Sequence, residues 1–239
     1  MSADTTPEQG SSAPSRTSPP TGIRRHRWLL GPATLLLLVI LVRTFLVTPF
    51  GIPSGSMQDT LLIGDRILVS RLTAPADLQR GDVVVFDASQ GFNLRVPERG
   101  LFQTFVEAAQ SIFGKGQPTD YIKRVIGLPG DHVKCCAPDG RLEINGVAVD
   151  EPYIAPGAVP STMTFDVTVP PDRFWVMGDN RGASADSRAH LGDPGGGMVP
   201  GEDIIGKVWV RYWPLGRLGY VDQGQLASVP AAPVPRNGE

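Results

Sequence analysis

Two serines two residues apart, Ser54 and Ser56, lie in the segment PFGIPSGSMQDT that spans residues 49–60. Pro49 and Pro53 fix the backbone around Ile52, while Gly51 and Gly55 permit close approach or positive φ. A partly extended chain here would aim both hydroxyls the same way. A serine so placed suits acyl transfer, provided that another group takes its proton. The same residue types also build ordinary turns, and the segment alone does not separate the two readings. Candidate proton acceptors are few. His132 and His190 stand in contexts that fit surface histidines. Lysine occurs at only four positions: 115, 123, 134 and 207. Lys123 differs from the others because it sits in an apolar run, with Tyr121 and Val125 on its own face if the run is a strand. Burial of that face would disfavour the ammonium and lower its pKa from ~10.4 towards ~7–8, leaving an amine able to take a hydroxyl proton. A solvated lysine on an edge strand is the competing reading. There is no G-x-S-x-G, S-x-x-K or H-E-x-x-H pattern, which removes the readings those motifs carry.

These residues must be positioned by what surrounds them. Residues 1–23 are rich in Ser, Thr, Pro and Gly and are expected to be disordered. Arginines at 24, 25 and 27 then precede a 20-residue apolar run, Trp28 to Val47, with one charge at Arg43. As a helix that run is about 30 Å long, the thickness of a bilayer core. Val47-Thr48-Pro49 is not a small-x-small cleavage site, so residues 24–47 are expected to be an uncleaved transmembrane anchor. The arginines stay cytoplasmic by the positive-inside rule, which places the following domain outside the plasma membrane.

From Leu61 the pattern is β: 61–69 reads as strand, Gly-Asp turn, strand, and 83–86, 121–127, 174–177 and 204–212 read as further strands. Residues 87–118 interrupt this, and within them Phe102, Phe105, Val106, Ala109 and Phe113 fall on one face of a short amphipathic helix. Whether that face meets lipid or the domain is open. Residues 132–174, with a hairpin at Asn145-Gly146, are expected to form a smaller β insertion. The catalytic domain is expected over 48–221 and a disordered tail over 222–239. The expected fold is mainly β, antiparallel and barrel-like, with an inserted smaller β region after one N-terminal transmembrane helix.

Net charge is −2 with acids and bases intermixed, which gives no support to nucleic-acid binding. The two cysteines, Cys135 and Cys136, are adjacent. Their Cα atoms would stand about 3.8 Å apart across a trans peptide, below the usual disulfide span of roughly 4.4–6.8 Å, so a vicinal bridge would be strained and two separate thiols are the preferred reading, with the redox state left open. No histidine stands at metal-finger spacing from them, and no metal or other cofactor is expected.

Taken in order, the N-terminal anchor, FGIPSGSM at 50–57, RGDVVV at 80–85, DYIKRVIGLPGD at 120–131 and MGDNRGASADSR at 177–188 resemble bacterial type I signal peptidases. These are membrane-bound Ser/Lys endopeptidases that remove signal peptides from exported preproteins. The resemblance runs from Arg24 to about Tyr220. It implies that Ser56 is the nucleophile and Lys123 the general base. Ser54 would help the Ser56 N–H hold the oxyanion, Ser184 would orient the lysine, and Asp186 and Arg188 would form a supporting ion pair. Asp179, Asn180 and Arg181 would shape the loop below the site. Phe50, Ile52, Met57, Leu61, Asp120, Tyr121 and Ile122 would line the substrate pocket, with room for small residues at −1 and −3. The implied partners are signal-peptide-bearing preproteins and membrane lipid. Gly182-Ala183 departs from the more polar pair common in the family. Two other classes compete: a self-cleaving repressor-type Ser/Lys protease, disfavoured by the anchor and the lack of a basic patch, and a membrane-tethered β module without activity.

Overall fold

The computed structural model describes residues 31, 32, 34, 35, 37, 38, 46–92, 94, 116–224, 226, 229 and 230. The chain divides into two units, residues 1–40 and 41–239. In the first, the described residues are helical. Among the described residues no helix is long and apolar enough to cross a membrane. The segment expected to be disordered at 1–23, most of the expected anchor at 24–47 and the amphipathic stretch at 102–113 lie outside the described residues.

The second unit is built from two antiparallel sheets. The larger contains β1 (Val47–Gly51), β2 (Arg66–Ser70), β3 (Val83–Asp87), β4 (Asp120–Gly127), β9 (Arg173–Met177), β10 (Val199–Pro200), β11 (Ile204–Trp213) and β12 (Gly219–Tyr220). Its order is β1-β2-β11-β3-β4-β9-β10, with β12 also on β11. The smaller sheet has the order β7-β6-β5-β8, from β5 (His132–Cys135), β6 (Leu142–Ile144), β7 (Val147–Val149) and β8 (Phe165–Thr168). Asn145 and Gly146 join β6 to β7 with φ of 52° and 79°, the paired positive values that a tight two-residue hairpin requires.

The unbroken apolar run of β3 explains its central place, since both of its faces are covered. Val83 and Val85 pack with Phe50, Ile52, Met57, Leu61, Ile67 and Val69 on one side. On the other, Val84 and Phe86 pack with Val125, Phe174 and Val176. A third cluster, around Trp175, Met177, Val133, Leu142 and Ile144, joins the smaller sheet to β4 and β9. Each such side chain contributes roughly 1.5–3 kcal/mol when fully buried.

Three expectations need correction. Residues 61–63, read as strand, form turns, because the Leu61 N–H is taken by the Met57 carbonyl at 2.8 Å rather than by a neighbouring strand. Cys135 and Cys136 do not stand apart but form a vicinal disulfide. The alternation that would separate their side chains stops there, since β5 ends at Cys135. The tail does not leave the domain at 222. Leu226 and Val229 are buried in the third cluster. The Gln223 side chain accepts from the Val83 N–H at 2.9 Å and donates to the Val208 carbonyl at 2.9 Å. Arg80 holds the Val229 carbonyl at 3.0 Å while pairing with the buried carboxylate of Asp131.

Candidate active site

The site lies where β1 runs into a turn. After Gly51 the chain stays close to β2: Ile52 N–H donates to the Asp65 carbonyl and Gly64 N–H to the Ile52 carbonyl, each at 2.9 Å. Met57 and Leu61, almost wholly buried, pin the turn into the core below. Ser54 and Ser56 are left at the rim, with their hydroxyl oxygens 3.5 Å apart.

The facing residue comes from β4. Asp120 to Arg124 pair with β3, placing Lys123 opposite Val84. On its other edge β4 meets β9 only from Arg124 onward. Among the described residues, the half that carries Tyr121, Ile122 and Lys123 is therefore paired on one side only. Lys123 is 3% exposed. Its Nζ donates to Ser56 Oγ at 2.8 Å and to the Ile122 carbonyl at 3.0 Å, and lies 5.3 Å from the centre of the Tyr121 ring. Burial lowers its pKa to about 8, against the opposing pull of the Asp186 and Asp179 charges.

Those two carboxylates are themselves held in place. Asp179 receives both Nε and Nη2 of Arg124, at 2.8 and 2.7 Å, and the Thr60 hydroxyl at 2.5 Å. Asp186 accepts from Arg188 through Nε at 2.9 Å and Nη2 at 2.8 Å, and from the Gly178 N–H at 2.9 Å. Burial pushes the Asp186 carboxyl up, but the Arg188 guanidinium and the Gly178 N–H outweigh it and keep it below the ordinary value. Each pair consists of a planar fork matched to a carboxylate, the geometry in which a buried charge is tolerated. Between them runs the loop 178–186 against the turn that carries Ser56. Asn180 N–H donates to the Ser56 carbonyl at 3.1 Å, and Asn180 Nδ2 to the Gly55 carbonyl at 3.0 Å.

A cavity of about 1090 Å³ opens over these groups. Phe50, Ile52, Met57, Asp120, Tyr121 and Ile122 line it together with Ser54, Ser56 and Lys123. Leu61 does not: it is fully buried beneath the turn and belongs to the core. The Ser184 hydroxyl does not reach Lys123. It lies buried beside Gly178, where it helps to hold the Asp186 carboxyl low, while the Lys123 amine meets Ser56 and the Ile122 carbonyl. Asp186 and Arg188 lie behind the cavity wall. Two stretches of wall were not anticipated, Ile63 to Arg66 and Gly116 to Pro118. Nothing local marks them, since the first depends on β1 pairing with β2 and the second on the path by which the chain enters β4. The histidines lie elsewhere: His132 meets Asp166 at the surface, and His190 meets Asp193 while stacking on Phe92.

The arrangement is a serine hydroxyl against a buried amine of low pKa, in an open groove beside an unpaired strand edge. Such a pair can perform acyl transfer on an extended peptide. The family described as "Signal peptidase, peptidase S26" matches residues 25–213. The signal peptidase I of Mycobacterium tuberculosis (strain H37Rv) is 34% identical over 241 aligned residues, covering 89% of this chain and 82% of that protein. The probable signal peptidase I of Mycobacterium leprae is 37% identical, covering 74% of this chain and 72% of that protein. A crystal structure of a signal peptidase I from Enterococcus faecalis V583 is 26% identical and covers 54% of this chain and 95% of that one, at a TM-score of 0.35.

Proposed function

The chain belongs to the signal peptidase family, peptidase S26, and is a serine endopeptidase that removes signal peptides from preproteins; within it we propose that Ser56 is the nucleophile and Lys123 its general base. The observation that carries this assignment is the 2.8 Å contact between a hydroxyl in the cavity lining and an amine whose pKa burial lowers to about 8. The neutral amine takes the Ser56 proton as Oγ attacks the carbonyl carbon of the −1 residue. The resulting oxyanion is held by the Ser56 N–H and the Ser54 hydroxyl. Collapse breaks the C–N bond, and the Lys123 ammonium returns its proton to the departing amine of the mature chain. The neutral Lys123 amine then deprotonates a water that attacks the ester carbonyl, and its proton passes to Ser56 Oγ as the acyl–oxygen bond breaks.

The preprotein segment lies extended along Asp120–Lys123 and completes its hydrogen bonding on the edge that β9 leaves vacant. Phe50, Ile52, Met57, Tyr121 and Ile122 form the apolar wall that accepts small side chains at −1 and −3. Asp186 and Arg188 fix the loop behind the lysine, with Ser184 beside them.

The enzyme is membrane-associated, as its relatives suggest, and we place a single span at 24–47 with the N-terminus cytoplasmic and the catalytic domain outside. The exposed side chains of Trp209, Trp213, Leu215, Leu218 and Tyr220, on β11 and its return, are suited to contact with the lipid surface.

The test is cleavage of a preprotein with an Ala-x-Ala junction by the detergent-solubilised protein, alongside Ser56→Ala and Lys123→Ala variants shown to be folded. Wild type should cut at the junction and both variants should stay at background. Full activity in Lys123→Ala would assign the base elsewhere.

A further inference from the structure

The loop behind the nucleophile carries a residue whose contacts bear on the oxyanion site rather than on the dyad. Asn180 holds two consecutive carbonyls of the nucleophile turn, Gly55 through its side-chain Nδ2 at 3.0 Å and Ser56 through its own N–H at 3.1 Å. Its side chain stands in the cavity wall. The peptide joining Gly55 to Ser56 is not among the cis bonds of the chain. In a planar trans unit the carbonyl and the N–H point in opposite directions. Fixing the Gly55 carbonyl therefore fixes the direction of the Ser56 N–H, and among the described residues that N–H has no acceptor. It is the group that must face the oxygen of the attacked carbonyl.

The turn has little freedom to relax by another route. The Ser56 carbonyl packs so closely on the loop that an ideal Cβ at Gly178 would stand 2.5 Å from it and 2.2 Å from Ser184 Oγ. The loop is in turn held by Asp179, locked to Arg124 and Thr60. A rigid buried ion pair thus supports Asn180, and Asn180 supports one peptide plane.

We infer that Asn180 is a positioning residue for the oxyanion site, orienting the Ser56 N–H by holding the Gly55 carbonyl on the opposite side of the peptide plane. The inference rests on the reading of Ser56 as nucleophile. Neither Ser56 Oγ nor Lys123 Nζ touches Asn180 in the contacts described above, so its removal should spare the proton transfer and weaken the stabilisation of the charge that follows.

The experiment measures kcat, KM and the pH profile of preprotein cleavage by full-length protein in detergent. It compares wild type, Asn180→Ala, Asn180→Asp, Ser54→Ala and the Ser54→Ala/Asn180→Ala double variant, with Ser56→Ala and Lys123→Ala as controls. Asn180→Ala should lower kcat by about 10–100-fold, up to the loss typical of one oxyanion donor. KM should stay within about twofold of wild type, as for a contact that matters only in the transition state. The acidic limb of the pH profile should remain where wild type has it. Asn180→Asp keeps the shape but sets a carboxylate against the Gly55 carbonyl, so it should be impaired at least as much. The double variant should lose less than the product of the single losses, because both changes act on one developing charge. The inference is overturned if Asn180→Ala keeps kcat within twofold, if its defect lies in KM alone, or if its acidic limb moves, which would mean a displaced dyad. Activity in Ser56→Ala or Lys123→Ala would overturn the dyad itself. Inert controls beside a fully active Asn180→Ala would overturn the role of Asn180 alone.

Discussion

A lysine amine 3% exposed, with one hydroxyl and one carbonyl as partners, is an unfavourable place for a charge. The chemistry depends on that. At a pKa of about 8 the amine is partly neutral in neutral solution, whereas a solvated lysine would be protonated almost completely. The sign of the pH dependence follows directly. The base is the unprotonated form, so kcat/KM should fall about tenfold per unit as pH drops below the Lys123 pKa, and level off above it. Asp186 works against burial by stabilising the ammonium. Asp186→Asn should therefore move the acidic limb to lower pH, measured as kcat/KM across pH 5–9, while destabilising the fold because Arg188 loses its buried partner. An unmoved limb, or one moved upward, would contradict the electrostatic account.

The turn between β1 and β2 is an element with no secondary structure of its own, and it is rigid because it is pinned from below. Leu61 is one of the pins. Leu61→Ala should cost about 2–5 kcal/mol of stability, seen as a lowered midpoint in thermal or denaturant unfolding, while the preference for small residues at −1 and −3 stays as in wild type. A changed preference would return Leu61 to the pocket. The example also marks what was legible in the chain. Valine and isoleucine runs announced β3, β4, β9 and β11, and Asn145-Gly146 announced its hairpin, because period and turn chemistry are local signals. Leu61 and Met57 carry the same apolar signal whether they line a groove or close a core. Only the depth of the turn, set by the pairing of β1 with β2, separates them. Ser54, Ser56 and Lys123 were readable as residue types, but their meeting across 67 positions was not a local property. The resemblance of four ordered motifs supplied it. The same limit hid Asn180, whose importance lies in which two carbonyls it reaches, and hid the place of Ser184 beside Asp186 rather than on Lys123.

At the scale of the molecule, residues 221–224, 226, 229 and 230 form a strap across the two sheets. Val221, Leu226 and Val229 are buried, Gln223 bridges β3 and β11, and the Asp222 carbonyl accepts from Arg124 at 3.1 Å. A chain ending at Tyr220 should lose several kcal/mol, since each of the three apolar side chains contributes roughly 1.5–3 kcal/mol when buried. Its catalytic strand should also lose rigidity, because Arg124 is tied to both the strap and Asp179. Thermal unfolding of the truncated protein and its residual cleavage rate would measure both effects. A truncated form as stable as wild type would show that the strap is passive.

The sheet order β1-β2-β11-β3-β4 also governs when activity can begin. Ser56 hangs from β1 and Lys123 sits on β4, and the strand stitched between their two halves is Ile204–Trp213. A ribosome delivers residue 56 and residue 123 long before residue 204. Until β11 arrives, the ladder between the two ribbons is missing, and only core packing and the contacts of the 178–186 loop link the serine's ribbon to the lysine's. The complete frame around Ser56 and Lys123 therefore waits for one late strand, a delay built into the order of the chain rather than into a removable propeptide.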